Sequence, residues 1–524
     1  MAVKAKKRAD GVLARLLGGI ERAGNRLPHP FMLFIYLALF IAVVSWLVSL
    51  TGATVADPET GEQVAVRSLL SGEGLVHVLT SMLPNFVEFP PLGLVLTMML
   101  GIGLAQRVGL LETLIKRTIL KAPRKVTTAA IILTGICGNL ASDAAFIVIP
   151  PLAAVVFLQL GRHPLAGLAA GFAAVGSGFS ANFMIAGTDA LLSGISTEAA
   201  GIVDDSVTVS PLANYFFMAF SVVLLTSVGV FVTHRIVEPR LGAYEGTPDE
   251  DGGADPAQPA EDGATEAVEE NPKAGRGLRN AGLVALAYIA VVVAAVLPSG
   301  SPLRGENGAI LESPLLEGVI PILLLLFVAV AVAYGTTVGA IRNTGDVPRM
   351  MAEAVRDLSG FLVLMFAAAQ AIAWFDWTRL GLWVAVNGAV LLEGLGIGGL
   401  VGLVAFSLLT VVLSMLIASG SALWAVEAPA FVPMFMLNGI NPAYVQAAYR
   451  IADSSTNSIV PLSPYIAVMI GFMQKYDKKA GLGTLFALMV PYTVTFYVSW
   501  LLLFIVWTLL GIPIGPGESL HLPE

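Results

Sequence analysis

The chain has a single cysteine, Cys137, in 524 residues, which excludes a disulfide framework and any cysteine-built metal centre. Charge is scarce too: Asp, Glu, Lys and Arg make up 13% of the chain, against about a quarter in soluble domains. The five histidines, His29, His77, His163, His234 and His521, fall in loops or at the ends of apolar runs and show no metal-ligand spacing. Lys and Arg form no groove-sized patch, which argues against a nucleic-acid partner, and the net charge of −8 arises from acids concentrated in loops. What is abundant is apolar surface. With 56% hydrophobic residues and a mean hydropathy of +0.81, the composition is that of an all-α polytopic membrane protein whose partner is the lipid bilayer.

Residues 1–30 are basic and 31–50 are apolar, followed by the small-residue string GATVAD. A cleaved signal peptide is rejected, because the basic region is too long, the apolar run spans a bilayer and similar runs continue to the C-terminus. Nine segments read as complete spans: 31–50, 90–108, 165–187, 210–234, 278–297, 316–336, 358–376, 442–473 and 483–510. Two further apolar stretches, 127–159 and 398–437, are interrupted by GNLASDAA and IASGSALW. A continuous helix of such length would measure about 50 Å, well beyond the roughly 30 Å hydrocarbon core, so each is expected to be a re-entrant hairpin. Charge counting agrees. With the N-terminus cytoplasmic, 25 of the 29 Lys and Arg fall inside, Arg67, Arg304 and Arg379 fall outside, and Arg450 lies within the bilayer.

The expected organisation is a basic N-terminus (1–30), a first membrane half (31–238) with hairpin 127–159, a cytoplasmic acidic linker (239–277), a second half (278–510) with hairpin 398–437, and a tail (511–524). The linker's core, EGTPDEDGGADPAQPAEDGATEAVEEN, lacks large apolar residues and cannot build a packed core. Sliding the chain by 278 residues pairs Pro151 with Pro429, Phe157 with Phe435, Gly161 with Gly439, Pro164 with Pro442, Ser177 with Ser455 and Ser180 with Ser458. Eleven of the fifty positions from Leu140 to Asp189 are identical under this offset, and the hairpin, turn and helix break stay aligned. The first hairpin enters from inside and the second from outside, which makes the repeat inverted, as in secondary transporters with a midplane site.

The polar residues gather at these breaks. Arg450 and Asp453 are three apart on one helical face, where an ion pair would lower the cost of both charges, either for function or as a lock on packing. Ser454 through Ser458, with Pro461 and Pro464, are expected to interrupt the helix and free backbone carbonyls. Carbonyls, hydroxyls and a carboxylate replace the water shell of a hard cation, so Asp453 is the candidate Na⁺ ligand or H⁺ exchanger, with Asn457 beside it. In the first repeat Asn139, Ser142 and Asp143 occupy the hairpin tip, and Ser177, Ser180 and Asn182 line the following break, with Asp189 beyond. Asn139 and Asp143 join the candidate ion-coupling residues, although glycine-driven breakage explains the serines equally well. At the second tip Ser419, Ser421 and Trp424 suit an aromatic, polar solute, unless Trp424 is simple packing. Glu427, between that tip and Pro429 and Pro433, is a protonatable group without a sequence neighbour to explain it.

GNLASDAA, GSGFSANFMIAGTD, SGSALWA with APAFVPMFM, and NPAYVQAAYRIADSSTNSIVPLSPY resemble the p-aminobenzoyl-glutamate transporter family, AbgT, and the resemblance extends over essentially the whole chain. It implies a homodimer in the bacterial cytoplasmic membrane, with nine transmembrane helices and two hairpins per protomer and a bowl-like cytoplasmic basin. It also implies a small-molecule substrate of the aminobenzoyl-glutamate type, or export of sulfonamide antimetabolites, driven by a cation gradient with no other cofactor. Carried over by motif, the substrate positions are Asp189, Ser421, Trp424, Pro442, Arg450, Asp453 and Pro461. In that family an Asn commonly stands near Ser414 and helps hold a cation with the later aspartate. Here the string reads LSMLIASGS, in which Ser414 keeps an oxygen ligand with shorter reach.

A Na⁺-coupled dicarboxylate carrier is the alternative, since Arg450 suits a dicarboxylate as well as a glutamate moiety. An enzyme is not expected. An intramembrane aspartyl protease would need a Gly-x-Gly-Asp string, which is absent, and the sole Tyr-Asp, Tyr476-Asp477, sits in a basic loop. A channel would need its polar groups in one ring, where here they lie at offset tips.

Overall fold

The computed structural model describes residues 30–522 apart from 57–62, 142, 245–270, 306–307, 311–312, 395, 397, 462 and 464, with the side chains of Ala141 and Asp143 also outside the description. The basic N-terminus up to residue 29 and most of the acidic linker therefore lie outside the described residues.

Helix α1 (Pro30–Leu50) leads into a small antiparallel hairpin of β1 (Thr54–Ala56) and β2 (Gln63–Ala65), with Val55 opposite Val64. Next come α2 (Gly72–Val87), α3 (Pro90–Arg107), α4 (Leu110–Leu120), α5 (Thr127–Ile136), α6 (Asp143–Gln159), α7 (Pro164–Ser177) and α8 (Gly187–Ala200). The first half ends with α9 (Tyr215–Val232), which continues through a π turn at Thr233–Val237. The second half contains α10 (Ala274–Val296), α11 (Val319–Val338), α12 (Asp346–Asp357), α13 (Ser359–Trp377), α14 (Leu380–Gly394) and α15 (Gly399–Ser414). It closes with α16 (Gly420–Met436), α17 (Pro442–Thr456), α18 (Tyr465–Gln474) and α19 (Leu482–Leu509).

Among the described residues, seven elements are long and apolar enough to cross a membrane: α1, α2 with α3, α9, α10, α11, α13 and α19. They coincide with seven of the nine expected spans. The other two expected spans are interrupted: 165–187 is α7 and the polar break after it, with α8 beginning only at Gly187, and 442–473 is a pair of short helices about a polar break, α17 with α18. The first break comes where expected, after Ser177. The second comes later than the hydroxyl run suggested, because α17 continues through Thr456 and a 3₁₀ turn carries the chain to Ile459. Serine and threonine hydroxyls that bond back to carbonyls of the preceding turn let a helix continue, and Thr456 does this with Ala452 and Asp453. Helices α2 and α14 were not anticipated. The described residues are mostly helical, with several helices apolar enough to cross a membrane, and α10 turns an apolar face outward, with Leu283, Leu286, Ile289, Val291 and Val293 exposed.

The two stretches expected as hairpins are each a pair of helices about a short break, α5 with α6 and α15 with α16. The repeat is visible in backbone chemistry as well as in element order. Gly161 and Gly439, 278 residues apart, adopt left-handed φ of 70° and 73°. At the first, Arg162 N–H bonds to the Phe157 carbonyl; at the second, Ile440 N–H bonds to the Phe435 carbonyl, the same helix-ending motif. Each turn then opens a helix on a proline, Pro164 of α7 and Pro442 of α17, where a missing N–H costs nothing.

These two helices form the centre of the molecule. Every residue of α7 and of α17 is buried. Small residues let α7 sit against its own hairpin. A methyl at Gly167 would lie 2.4 Å from the Ala153 carbonyl oxygen, and one at Gly135 would lie 2.5 Å from the Ala174 Cβ. Helix α17 is buried as deeply as α7 yet carries Gln446, Arg450 and Asp453, and that contradiction with its surroundings locates the site.

Candidate substrate and ion site

Arg450 is 2% exposed, and its guanidinium reaches from α17 to the start of α8. Nη2 donates to Asp189 Oδ1 at 2.6 Å and to the Ser180 carbonyl at 3.0 Å. Asp189 is held in place by its own helix start, since Oδ2 accepts the Ala186 N–H at 2.7 Å. The Ser180 carbonyl is available because α7 has ended three residues earlier. Arg450 Nε has no hydrogen-bond partner among the described residues, so part of a strongly donating group is left unused in the interior.

The expected pair between Arg450 and Asp453 is not formed. Arg450 turns to Asp189, 261 residues away in sequence, and Asp453 turns to the second hairpin tip. There its carboxylate lies so close to Gly420 that a Cβ would stand 2.7 Å from Oδ2. The physical reason is satisfaction: α8 offers a fixed carboxylate and the break a free carbonyl, which together serve a fork better than a neighbour one turn along the same helix. Tyr449 borders Asp453 and donates its hydroxyl to the Gly420 carbonyl.

The two helix breaks are tied across the repeat by hydroxyls. Ser177 Oγ meets Ser458 Oγ at 2.6 Å, Ser454 Oγ donates to Ser180 Oγ at 2.7 Å, and Ser458 Oγ also meets Thr493 of α19 at 3.3 Å. Ser414, at the end of α15, meets Thr456 at 2.8 Å, so its oxygen lies on α17 one turn from Asp453. Asn139 donates to the Phe179 carbonyl and accepts from Asn182, which closes the first tip over the first break. Asn457 is half-buried in the 3₁₀ turn, and Pro461 is half-buried just beyond it. Ser142 and the side chain of Asp143 lie outside the described residues.

At the second tip Ser421 is half-buried against Ser419, with 3.3 Å between their hydroxyls. Trp424 is fully buried. Its indole N–H points to Ser196 Oγ at 3.2 Å and the Leu192 carbonyl at 3.3 Å, and its ring packs on Tyr449 with centroids 4.6 Å apart. Trp424 here packs the hairpin onto α8, the competing role that the sequence left open. Pro442 acts through the backbone, starting α17 beneath Asn441, whose Oδ1 caps Ala443 N–H at 2.8 Å.

Four residues of the site were not among those expected from the sequence. Gln446 donates to Ser196 at 2.8 Å, Gly420 yields space to Asp453, Tyr449 bridges tip and helix, and Thr410 donates to Glu427 at 2.8 Å. Gln446 lies four residues before Arg450, on the same face, and that spacing was the available clue.

Charge counting brings the site together. The buried Asp, Glu, Lys and Arg side chains among the described residues are Asp189, Glu427, Arg450 and Asp453. Arg450 and Asp189 neutralise each other, which leaves Asp453 and Glu427 without a basic partner. A buried carboxylate without a basic partner is costly in an apolar interior.

Residues 15–522 match the AbgT putative transporter family. The p-aminobenzoyl-glutamate transport protein of Escherichia coli (strain K12) is 42% identical over 504 residues, 96% of each chain. The solved structure of the Alcanivorax borkumensis YdaH transporter superposes with a TM-score of 0.86 at 38% identity, over 93% of this chain and all of that one. Neisseria gonorrhoeae MtrF, described with a class of antimetabolite efflux pumps, superposes with a TM-score of 0.88 at 40% identity, over 96% of this chain and all of that one. The match runs over nearly the whole chain in sequence and in fold, and the chain is a member of the AbgT transporter family.

Proposed function

We propose that this transporter moves p-aminobenzoyl-glutamate-like folate catabolites, or exports sulfonamide antimetabolites, using a cation gradient coupled at Asp453. The observation that carries the reading is the junction of the two repeats, where a paired Arg450 keeps an unused N–H and Asp453 keeps an unbalanced charge. Arg450 is the group suited to a substrate carboxylate, by the bidentate fork that an ammonium cannot supply. Asp453, with Asn457 just beyond on the same broken helix and Ser414 reaching that helix from the end of α15, is the group suited to Na⁺ or H⁺. Asp189 holds Arg450, and Ser421 stands at the hairpin tip that a moving substrate would pass. The relatives named above supply the substrate class.

In this reading the protein is a homodimer in the bacterial cytoplasmic membrane, with a cytoplasmic N-terminus and two re-entrant hairpins in an inverted repeat. A reporter placed after Arg342 is expected in the cytoplasm and one after Gly300 outside, following the Lys and Arg bias. The opposite placement, Arg342 outside and Gly300 in the cytoplasm with the N-terminus cytoplasmic, would remove the first hairpin from this topology.

A second reading is favoured by one observation. Trp424 is wholly buried with its N–H engaged, so the site as described presents a carboxylate receptor more clearly than an aromatic one. A dicarboxylate would satisfy it. Competition separates the two: excess succinate is expected to leave labelled p-aminobenzoyl-glutamate uptake unchanged, and inhibition as strong as by unlabelled substrate would favour the dicarboxylate.

A further inference from the structure

Glu427 takes no part in the contacts that link the two helix breaks. It sits on α16, is 2% exposed, and accepts one hydrogen bond at Oε2, from Thr410 Oγ at 2.8 Å. Its other oxygen, Oε1, is buried and has no hydrogen-bond partner among the described residues. The elements packed on α16 bring it no free counter-charge among the described residues. Helix α15 carries none. Helix α17 brings Asp453, an acid; Arg450, already bound to Asp189; and Tyr449, whose hydroxyl is turned to Gly420. Helix α8 brings Asp189, committed to Arg450, and half-buried Glu198 near its far end. Helix α14 brings exposed Glu393.

A carboxylate held by one hydroxyl in such surroundings is costly, whereas a neutral carboxylic acid is not. Pro429 and Pro433 lie inside the same helix and contribute no N–H that could steady a carboxylate there. A metal ion does not fit, because a hard cation gathers about six oxygens and the structure provides Thr410 alone beside the carboxyl. No group of three His, Cys, Asp or Glu able to hold a metal occurs among the described residues.

We propose that Glu427 is a proton-binding site of the second hairpin, separate from Asp453. It carries its proton in the state described here. When the hairpin moves and Oε1 meets water, the O–H bond breaks, the proton passes to water, and the carboxylate that remains is held by Thr410 and solvent.

The test uses the full-length protein in detergent, without substrate, and reads the infrared C=O band of protonated carboxyls across a pH titration. That readout stands apart from the transport reading, so failure of either is recognised separately. Wild type is expected to show a protonated-carboxyl component at neutral pH that Glu427→Gln lacks. Thr410→Val keeps the carboxyl but removes the hydrogen bond that steadies its anion, so the band should persist to a pH about one unit higher. A Glu427→Gln spectrum with the full wild-type band overturns the proposal, as does a Thr410→Val titration that matches wild type.

Discussion

Arg450→Met is expected to destabilise the protein by about 3–5 kcal/mol, the usual consequence of stranding one member of a buried ion pair. Arg450→Met combined with Asp189→Leu is expected to recover most of that loss. The rescue follows from the geometry: Asp189 Oδ1 accepts from Nη2 at 2.6 Å, so its charge is the one left uncompensated when the guanidinium goes. Apolar side chains of similar volume remove the stranded charge and fill the space. Combining Arg450→Met with Asp453→Leu should give no comparable rescue, because Asp453 faces Gly420 and Tyr449. Thermal unfolding in detergent of the three variants measures this directly. Rescue by the Asp453 change and not by the Asp189 change would mean that the pairing described here is wrong. Both doubles should be inactive in transport even where they are stable, since the carboxylate receptor is gone.

Asp453→Asn is expected to lose gradient-driven transport altogether while the protein remains folded. The amide keeps the volume that Gly420 makes room for and stays beside Tyr449. It lacks the charge that an arriving cation would neutralise. Flux driven by an imposed gradient should therefore fall to that of protein-free vesicles, with thermal stability equal to or above wild type, because an unbalanced buried charge has been removed. Wild-type gradient-driven flux in Asp453→Asn would place the coupling ion elsewhere.

Much of this architecture was readable in the amino-acid order, for physical reasons. A bilayer leaves long apolar runs as its mark, and polar residues inside such runs, as in GNLASDAA and IASGSALW, have few explanations other than a break. The repeat was legible because Gly161 and Gly439 both need a left-handed turn and Pro164 and Pro442 both start a helix, so punctuation outlasted side-chain identity. The partner of Arg450 was not legible. Helical spacing speaks only for neighbours within a turn, and Asp189 arrives from another helix across 261 residues. Trp424 was equally silent, since an indole suits a ligand or a core, and its contacts with Ser196 and Leu192 come from another helix. Helix α14 escaped notice because its apolar stretch ends in LLEGLGIGG, where glycines obscure the boundary with α15.

The most direct test is the flux of radiolabelled p-aminobenzoyl-glutamate into proteoliposomes holding the wild-type protein, with a Na⁺ gradient and a pH gradient imposed separately. Accumulation above the equilibrium level under one of the two gradients, abolished by the ionophore that dissipates it, is the predicted result. Equilibration at one rate whichever gradient is imposed would contradict coupling, and with it the role given to Asp453.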